Sequence, residues 1–384
     1  MEYETYYLNL LEKMISIPSV SGDEKKIAEF LADFLQQDLG METELTRVKD
    51  NQYNFVARKT GNTVSGRKLL LGGHIDTVAP SEKWSTNPFS LTIKGNSAYG
   101  LGSCDMKGGL AAQITVLKRI IEDGMNFDGE IELVGVCDEE RFSLGANDYA
   151  ESCRTSGRKA DFGIFAEPHF DNIVVGAAGK ILLKIEVTGR TGHAANPGDG
   201  INAVDCLAAF ITEVNRKYTP LFEAGECSSH CFLRLETEYS GYSLNIPEKA
   251  SALLNKHLFV QESEEAFLDD LRIIYNEKVG IGTLRITREL PHYPSYVLDT
   301  NNSDYQLLCG ITETTCGARV EERIGKGVTD GNVIYPELHI PIVMFGPKGV
   351  NLHQPDEYLC LDTVYTYMDI LYDFISSFFN VSKA

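Results

Sequence analysis

The sequence predicts an α/β protein into which a second, smaller domain is inserted, and three observations carry the prediction. Strand-like and helix-like segments alternate up to about residue 180. A βαββαβ order then occupies about 180 to 290. After it the chain returns to α/β character in SDYQLLCGIT, IPIVMFGP and TVYTYMDILYDFISSFF. Alternation of the first kind builds a central, mostly parallel sheet covered by helices, whereas βαββαβ is the ferredoxin-like split unit. The expected boundaries are 1–179 and 292–384 for the outer α/β domain and 180–291 for the insert.

Each element has a local reason. Residues 4–16 carry Leu8, Leu11 and Ile15 on one helical face. SIPSVSGDE breaks that helix, and Ser21 with Glu24 reads as a capping box for a helix over about 23–38. Strand-like runs follow in NFVAR (54–58), KLLLGGHI (68–75), EIELVGVC (130–137) and DFGIFAE (161–167). Helical segments at 106–124 and 143–153 separate the later ones. In the insert, KILLKIEVTGR, HCFLRLETEY, SALLNKHLFV and TLRITREL read as strands. GINAVDCLAAFITEVNRKY and SEEAFLDDLRIIYNEK read as its helices.

Composition bounds the function. The 384 residues are 43% hydrophobic and 23% charged, ordinary for a globular chain that can bury a core. The formal net charge of −20 disfavours nucleic acid and anionic membrane surfaces as partners. No apolar run reaches the roughly 18 residues of a membrane span. The opening MEYETYYLNLLEKM lacks a basic n-region, so no signal peptide and a cytoplasmic location are expected. Nine cysteines occur without a CxxC pair, which fits reduced thiols. Cys227 and Cys231 form a CxxxC pair, but no second pair accompanies it, which disfavours a metal or disulfide role.

Parallel α/β sheets place their sites at the carboxyl ends of strands, and acids and imidazoles gather there. LLLGGHIDTVAP ends a strand on His74 and Asp76. Asp105 precedes a helix, where an ordinary role is a cap. Asp138, Glu139 and Glu140 end the next strand, and alone they read as a solvated loop. Glu167 ends DFGIFAE, and His353 follows PIVMFG. Two histidines with several carboxylates suit a pair of borderline divalent ions, and such a pair needs a bridging carboxylate.

The segments GGHIDTVAP, YGLGSCDMKGGLAA, VCDEERFSLGA, FAEP, RTGHAANPGDGINAV, NIPEKA and NLHQPDEY, in this order along nearly the whole chain, resemble the M20 family of metallopeptidases and deacylases. That group includes acetylornithine deacetylase, succinyl-diaminopimelate desuccinylase, aminoacylase-1 and carboxypeptidase G2. The resemblance implies a di-zinc exopeptidase-like catalytic domain with a lid and dimerisation insert. It implies two divalent metal ions per subunit, Zn²⁺ first and Co²⁺ as the alternative. His74 and Glu167 would bind one metal, Glu140 and His353 the other, and Asp105 would bridge them. Asp76 would orient His74, as carboxylate–histidine pairs do. Glu139 would be the general base for a metal-activated water and would then protonate the leaving nitrogen.

The resemblance further implies that His193 reaches the partner's site in a homodimer and stabilises the oxyanion. A hydrogen-bonded loop histidine is the bland alternative. Asn245 resembles a residue near that oxyanion. GKGVTDGNV, with Thr329 and Asp330, resembles a Gly-rich substrate loop, or is a simple turn. One departure stands out. Where the family shows Asp-x-Arg, whose Arg binds a substrate carboxylate, this chain has Asn255 and His257. A histidine lacks the bidentate, permanently charged grip of Arg, so His257, or another group such as Arg323, would take that role.

The expected activity is a metal-dependent amidohydrolase that removes an acetyl or succinyl group from an amino acid, in amino-acid biosynthesis. A dipeptidase or carboxypeptidase of the same family is the alternative. A non-catalytic relative is disfavoured because the whole ligand set and the base are present. A nucleotide-binding reading lacks its Gly-rich motif.

Overall fold

The computed structural model describes residues 2–63, 66–237 and 244–381. The chain forms two compact units. One comprises Met1–Gly176, Val297–Ile324 and Thr329–Ala384, the other Ala177–Tyr296 and Gly325–Val328. The second unit takes in the expected 180–291 with a few residues on either side, its edge strand Thr283–Tyr293 running on past Leu290.

The first unit is built on a mixed sheet in the order Glu42–Lys49, Gln52–Thr60, Gly129–Val136, Arg67–His74, Phe162–Phe165, Ile342–Met344, Ile173–Ala177 and Tyr296–Val297. Its four middle strands, from Gly129–Val136 to Ile342–Met344, are parallel. The flanks are antiparallel. The sheet is mixed, and one of its antiparallel pairs has a simple reason. Glu42–Lys49 and Gln52–Thr60 are joined by a tight turn at Asp50 and Asn51, and a tight turn can join only antiparallel neighbours.

Leu69, Leu70 and Leu71 are wholly buried, as expected of a strand covered on both faces. Leu69 and Leu71 share a core with Leu11, Leu31, Leu110, Leu117 and Phe374, drawn from the helices Glu2–Ser16, Lys25–Leu39, Lys107–Glu122 and Leu361–Phe378. Burying each such side chain fully contributes about 1.5–3 kcal/mol.

Two local readings change. The helix Lys25–Leu39 starts from Glu24 with no side-chain cap, so the capping box does not form. The Ser21 hydroxyl is committed elsewhere, to Asp76 Oδ2 at 2.7 Å, and Glu24 Oε1 accepts from the Gly22 and Asp138 amides. Residues after Asp330, read as loop or turn, form the helix Gly331–Leu338.

The second unit is a four-stranded antiparallel sheet in the order His230–Thr237, Lys249–Leu258, Gly179–Thr188, Thr283–Tyr293. Its helices Ala203–Glu223 and Glu264–Lys278 start on real caps, Asn202 and Ser263, whose side chains accept helix amides. Ile181, Leu183, Ile185 and Val187 alternate inward to meet Leu207, Phe210 and Leu271. Residues 238–239 of the expected strand HCFLRLETEY lie outside the described residues. No helix among the described residues is long and apolar enough to cross a membrane.

One inward position of Lys249–Leu258 is charged. Lys256 is 1% exposed, and its Nζ donates to Glu262 Oε1 at 2.8 Å and to the Ser228 carbonyl and hydroxyl. Glu262→Ala strands a buried ammonium and should cost about 3 kcal/mol, read by calorimetry. Adding Lys256→Met should recover most of the loss. A double variant no more stable than the single one contradicts this account.

Candidate metal centre

The strand Arg67–His74 delivers His74 to the end of the sheet, and the chain turns so that Asp76 faces back on it. Both are buried. His74 Nδ1 lies 3.0 Å from the Asp76 carbonyl and 3.4 Å from Asp76 Oδ1. Held at Nδ1, the ring presents Nε2 at 3.1 Å from Asp105 Oδ1 and 3.8 Å from Glu167 Oε1. The Asp76 carboxylate accepts from the Ser21 hydroxyl and from the Glu139 and Glu140 amides, at 3.1 and 3.2 Å. Burial pushes this carboxyl up, but His74, Ser21 and the Glu139 amide outweigh burial and hold it below its ordinary value.

Asp105 does not cap its helix. Met106 is the N-cap, without a side-chain bond. Asp105 instead places Oδ1 on His74 and Oδ2 at 3.1 Å from His353 Nε2. The backbone around it is fixed by Glu357, whose carboxylate accepts from the amides of Gly102, Cys104 and Asp105 at 2.8–3.0 Å.

The acid triplet is not a solvated loop. Asp138 has φ 66° and is buried. Its carbonyl gathers the amides of Arg141, Phe142 and Ser143, and its Oδ1 accepts from Gln52 Nε2. That turn sends Glu140 Oε2 to 3.0 Å from His353 Nε2.

Two donor sets result: His74, Asp105 and Glu167, and Asp105, Glu140 and His353. In each, the ligand atoms lie within 4.8 Å of one another, and Asp105 is common to both. The charges show what the space lacks. Burial, with Asp105, Asp330 and Glu140 nearby, pushes Glu167 up to about 8 against the pull of His74. Burial likewise raises Asp330 to about 7 and holds Glu139 well above its ordinary value. Bonds to Asp105 and Glu140 raise His353 to about 10. Both Asp330 oxygens are buried without a hydrogen-bond partner among the described residues. Burial first, and then neighbouring carboxylates, make Glu139, Glu167 and Asp330 hold on to protons, while bonds to carboxylates make His353 hold its own. Divalent cations with N and O ligands would compensate these carboxylates, so the residues fit the implied metals.

Thr329 and Asp330 belong to the same unit. The Thr329 hydroxyl accepts from the Gly331 amide, and the Thr329 amide donates to Asn332 Oδ1. His193, Asn245 and His257 lie in the second unit. His193 and Asn245 are partners in a single antiparallel bridge, flanked by Ala194 N–Leu244 O and Ile246 N–Gly192 O bonds. His193 is exposed, and its Nδ1 accepts from the Ala195 amide. His257 is half-buried, with Nδ1 2.9 Å from Ser229 Oγ. Burial, then Lys180 and Lys256, hold its ring below the ordinary value, so it is neutral at pH 7. Arg323 lies on the strand Glu322–Gly325.

Sequence reasoning missed Ser21, Gln52 and Glu357 as parts of this site. Glu357, four residues after His353 in HQPDEY, carried a signal in its position. Ser21 carried one that pointed to the wrong partner.

Paired imidazoles and a shared carboxylate, at the strand ends of an α/β sheet, mark the class as a metal-dependent enzyme. Residues 70–377 match the family described as Peptidase family M20/M25/M40, and the chain belongs to that family. Its members hydrolyse amide bonds and are metal-dependent, often dinuclear. The chain is 26% identical to a probable succinyl-diaminopimelate desuccinylase of Staphylococcus epidermidis over 97% of each chain. It is 27% identical to an acetylornithine deacetylase of Shigella sonnei over 92% of each. Among solved structures, a tripeptidase from Staphylococcus aureus superimposes with a TM-score of 0.78 at 21% identity, over 97% of this chain and 98% of that one. At that identity the likeness speaks for the fold.

Glu357→Ala removes the acceptor of three amides beside the shared carboxylate. The expected result is zinc content after dialysis falling well below that of the wild type, with the fold retained by circular dichroism. Unchanged zinc content would exclude Glu357 as the anchor of Asp105.

Proposed function

We propose that this chain is a two-metal amidohydrolase that removes an acetyl or succinyl group from an amino acid, working as a cytoplasmic homodimer with Zn²⁺, or with Co²⁺ in its place. The observation that carries the reading is Asp105, whose two oxygens each meet a different imidazole. His74, Asp105 and Glu167 would hold one cation, and Asp105, Glu140 and His353 the other. Bound there, the cations supply Lewis acidity toward the amide carbonyl and lower the pKa of water. Asp76 fixes His74 with its proton on Nδ1 and Nε2 free for ligation. Glu139 takes the proton of the attacking water and returns it to the departing nitrogen. His193 of the partner subunit donates to the developing oxyanion, and Asn245, its bridge partner, sets the loop that carries it. Thr329 would meet substrate at the rim of the centre, with the buried Asp330 behind it. Nine free thiols suit a reducing compartment.

A dipeptidase or carboxypeptidase is the second reading. Its substrates carry the same free carboxylate as an acyl amino acid, so His257, whose ring is held below its ordinary value by burial and then by Lys180 and Lys256, leaves both readings open. The test is amine release by chelator-treated protein, with and without added Zn²⁺ or Co²⁺. The substrates are N-acetylornithine, N-acetylcitrulline, other N-acetyl amino acids, N-succinyl-diaminopimelate and dipeptides. Metal-restored turnover of one acyl amino acid supports the deacylase. Turnover of dipeptides alone moves the assignment to the peptidase. Protein that binds no metal sinks both.

Glu139→Gln should keep both cations and lose about 10²–10⁴-fold in kcat, and His193→Ala should also lower kcat with metal content unchanged. Metal loss in either variant would reverse the division between ligands and proton-handling groups.

A further inference from the structure

We propose that Ser21 is a positioning residue for the metal centre, its hydroxyl acting through Asp76 to fix the direction in which His74 presents Nε2. The inference rests on the reading of His74 as a metal ligand.

The hydroxyl is placed by backbone, not by chance. Val20 pairs with Thr77 in a parallel bridge. The Thr77 amide donates to the Ser19 carbonyl at 3.0 Å, and the Ser21 amide donates to the Thr77 carbonyl at 3.1 Å. The Ser19 hydroxyl adds a bond to the Ile75 carbonyl at 2.8 Å. Residues 19–21 thus run as a short strand alongside 75–77, with Ser21 Oγ 2.7 Å from Asp76 Oδ2.

Besides the His74 ring, the Asp76 carboxylate has three donors among the described residues, and they differ in kind. Two are the amides of Glu139 and Glu140, so they belong to the turn that itself carries a proposed ligand and the proposed base. Ser21 comes from outside every ligand-bearing loop. It shares Oδ2 with the Glu140 amide, whose bond is the longer at 3.2 Å. Asp76 is 0% exposed and Ser21 5% exposed, so bulk water has no access to replace a missing donor. Without the hydroxyl, the carboxylate keeps only the longer bonds from the Glu139 and Glu140 amides and can turn about its last side-chain bond whenever their turn shifts. Its Oδ1 then leaves His74 Nδ1, and the imidazole loses one of the two acceptors that orient it. Groups that orient a metal-bound histidine from behind typically change affinity or activity about 10–100-fold when removed.

The experiment compares Ser21→Ala with Ser19→Ala. Each deletes one buried hydroxyl from the same three-residue strand, but only Ser21 touches Asp76. Zinc affinity is measured by competition with a chromophoric chelator, alongside thermal midpoint and kcat. Both variants should lose similar thermal stability. Ser21→Ala alone should bind zinc about tenfold more weakly at one of its two sites, with a matching fall in kcat. Wild-type zinc affinity in Ser21→Ala overturns the positioning role, and so does an equal loss in Ser19→Ala, which would assign the effect to the strand. Wild-type protein that takes up no zinc overturns the reading of the centre, and this inference with it.

Discussion

Asp105 is held between two imidazoles, and the rest of the first unit is arranged so that this carboxylate can stay ionised while buried. Left to itself, burial would protonate it. Bonds to His353 and His74 keep it well below the usual carboxylate range. For its neighbours Glu139, Glu167 and Asp330, burial outweighs the pull of His74 and pushes them the other way. A pocket in which one acid is strongly ionised and three others resist ionisation is poised for added positive charge. Such a pocket is unfavourable for folding unless backbone amides and hydroxyls hold the acids in place. Glu357 and Asp76 are themselves acids, and each is satisfied by amides of the loops it organises. The framework thus uses second carboxylates as acceptors to fix the first ones.

Parallel pairing brings the loops to one edge, but it does not by itself bring them close enough. Two glycines do so. A Cβ on Gly73 would sit 1.9 Å from Met106 Cε, and one on Gly109 would sit 2.1 Å from the Ala166 carbonyl oxygen. The double glycines of LLLGGH and MKGG therefore let the start of the helix Lys107–Glu122 settle against the ends of two strands. Asp105 stands at that junction, between the residue that contacts Gly73 and the strand end that bears His74. At Gly109 the obstacle is backbone, so a side chain there would push the helix start, and Asp105 with it, away from the strand ends, whereas at Gly73 the Met106 side chain would have to move.

What the sequence made legible was local and periodic. The apolar run before His74, the HxD spacing and the insert's alternating strands announce themselves because period two and period 3.6 are properties of neighbours along the chain. The acids at strand ends were legible for the same reason. What was hidden was long-range commitment. Ser21 and Glu24 have the spacing of a capping box, yet Ser21 bonds Asp76, 55 residues away, and Glu24 bonds Asp138, 114 residues away, besides Gly22. Glu357 reaches back more than 250 residues to Gly102, Cys104 and Asp105. Asp105 looked like a cap because an Asp before a helix usually is one, and only the fold shows two imidazoles competing for it. The hairpin that makes the sheet mixed was hidden too, since strand direction is set by the connection and not by the strand.

The two donor sets are unequal, and the inequality follows from where their histidines sit. His74 ends a strand that is buried from Leu69 onward, is 1% exposed, and is gripped at Nδ1 by Asp76. His353 sits in a loop at φ 59°, with its side chain 52% exposed, and is oriented by its Nε2 contacts to Asp105 and Glu140. A charge at the first set is shielded from water and feels its carboxylates strongly. A charge at the second competes with solvent, because effective dielectric rises with exposure. Rigidity is graded in the same sense, from a sheet interior to an open loop. Asp105 belongs to both sets, so any displacement of its loop is felt at both. The Glu357 anchor therefore matters equally to the rigid half of the centre and to the open one.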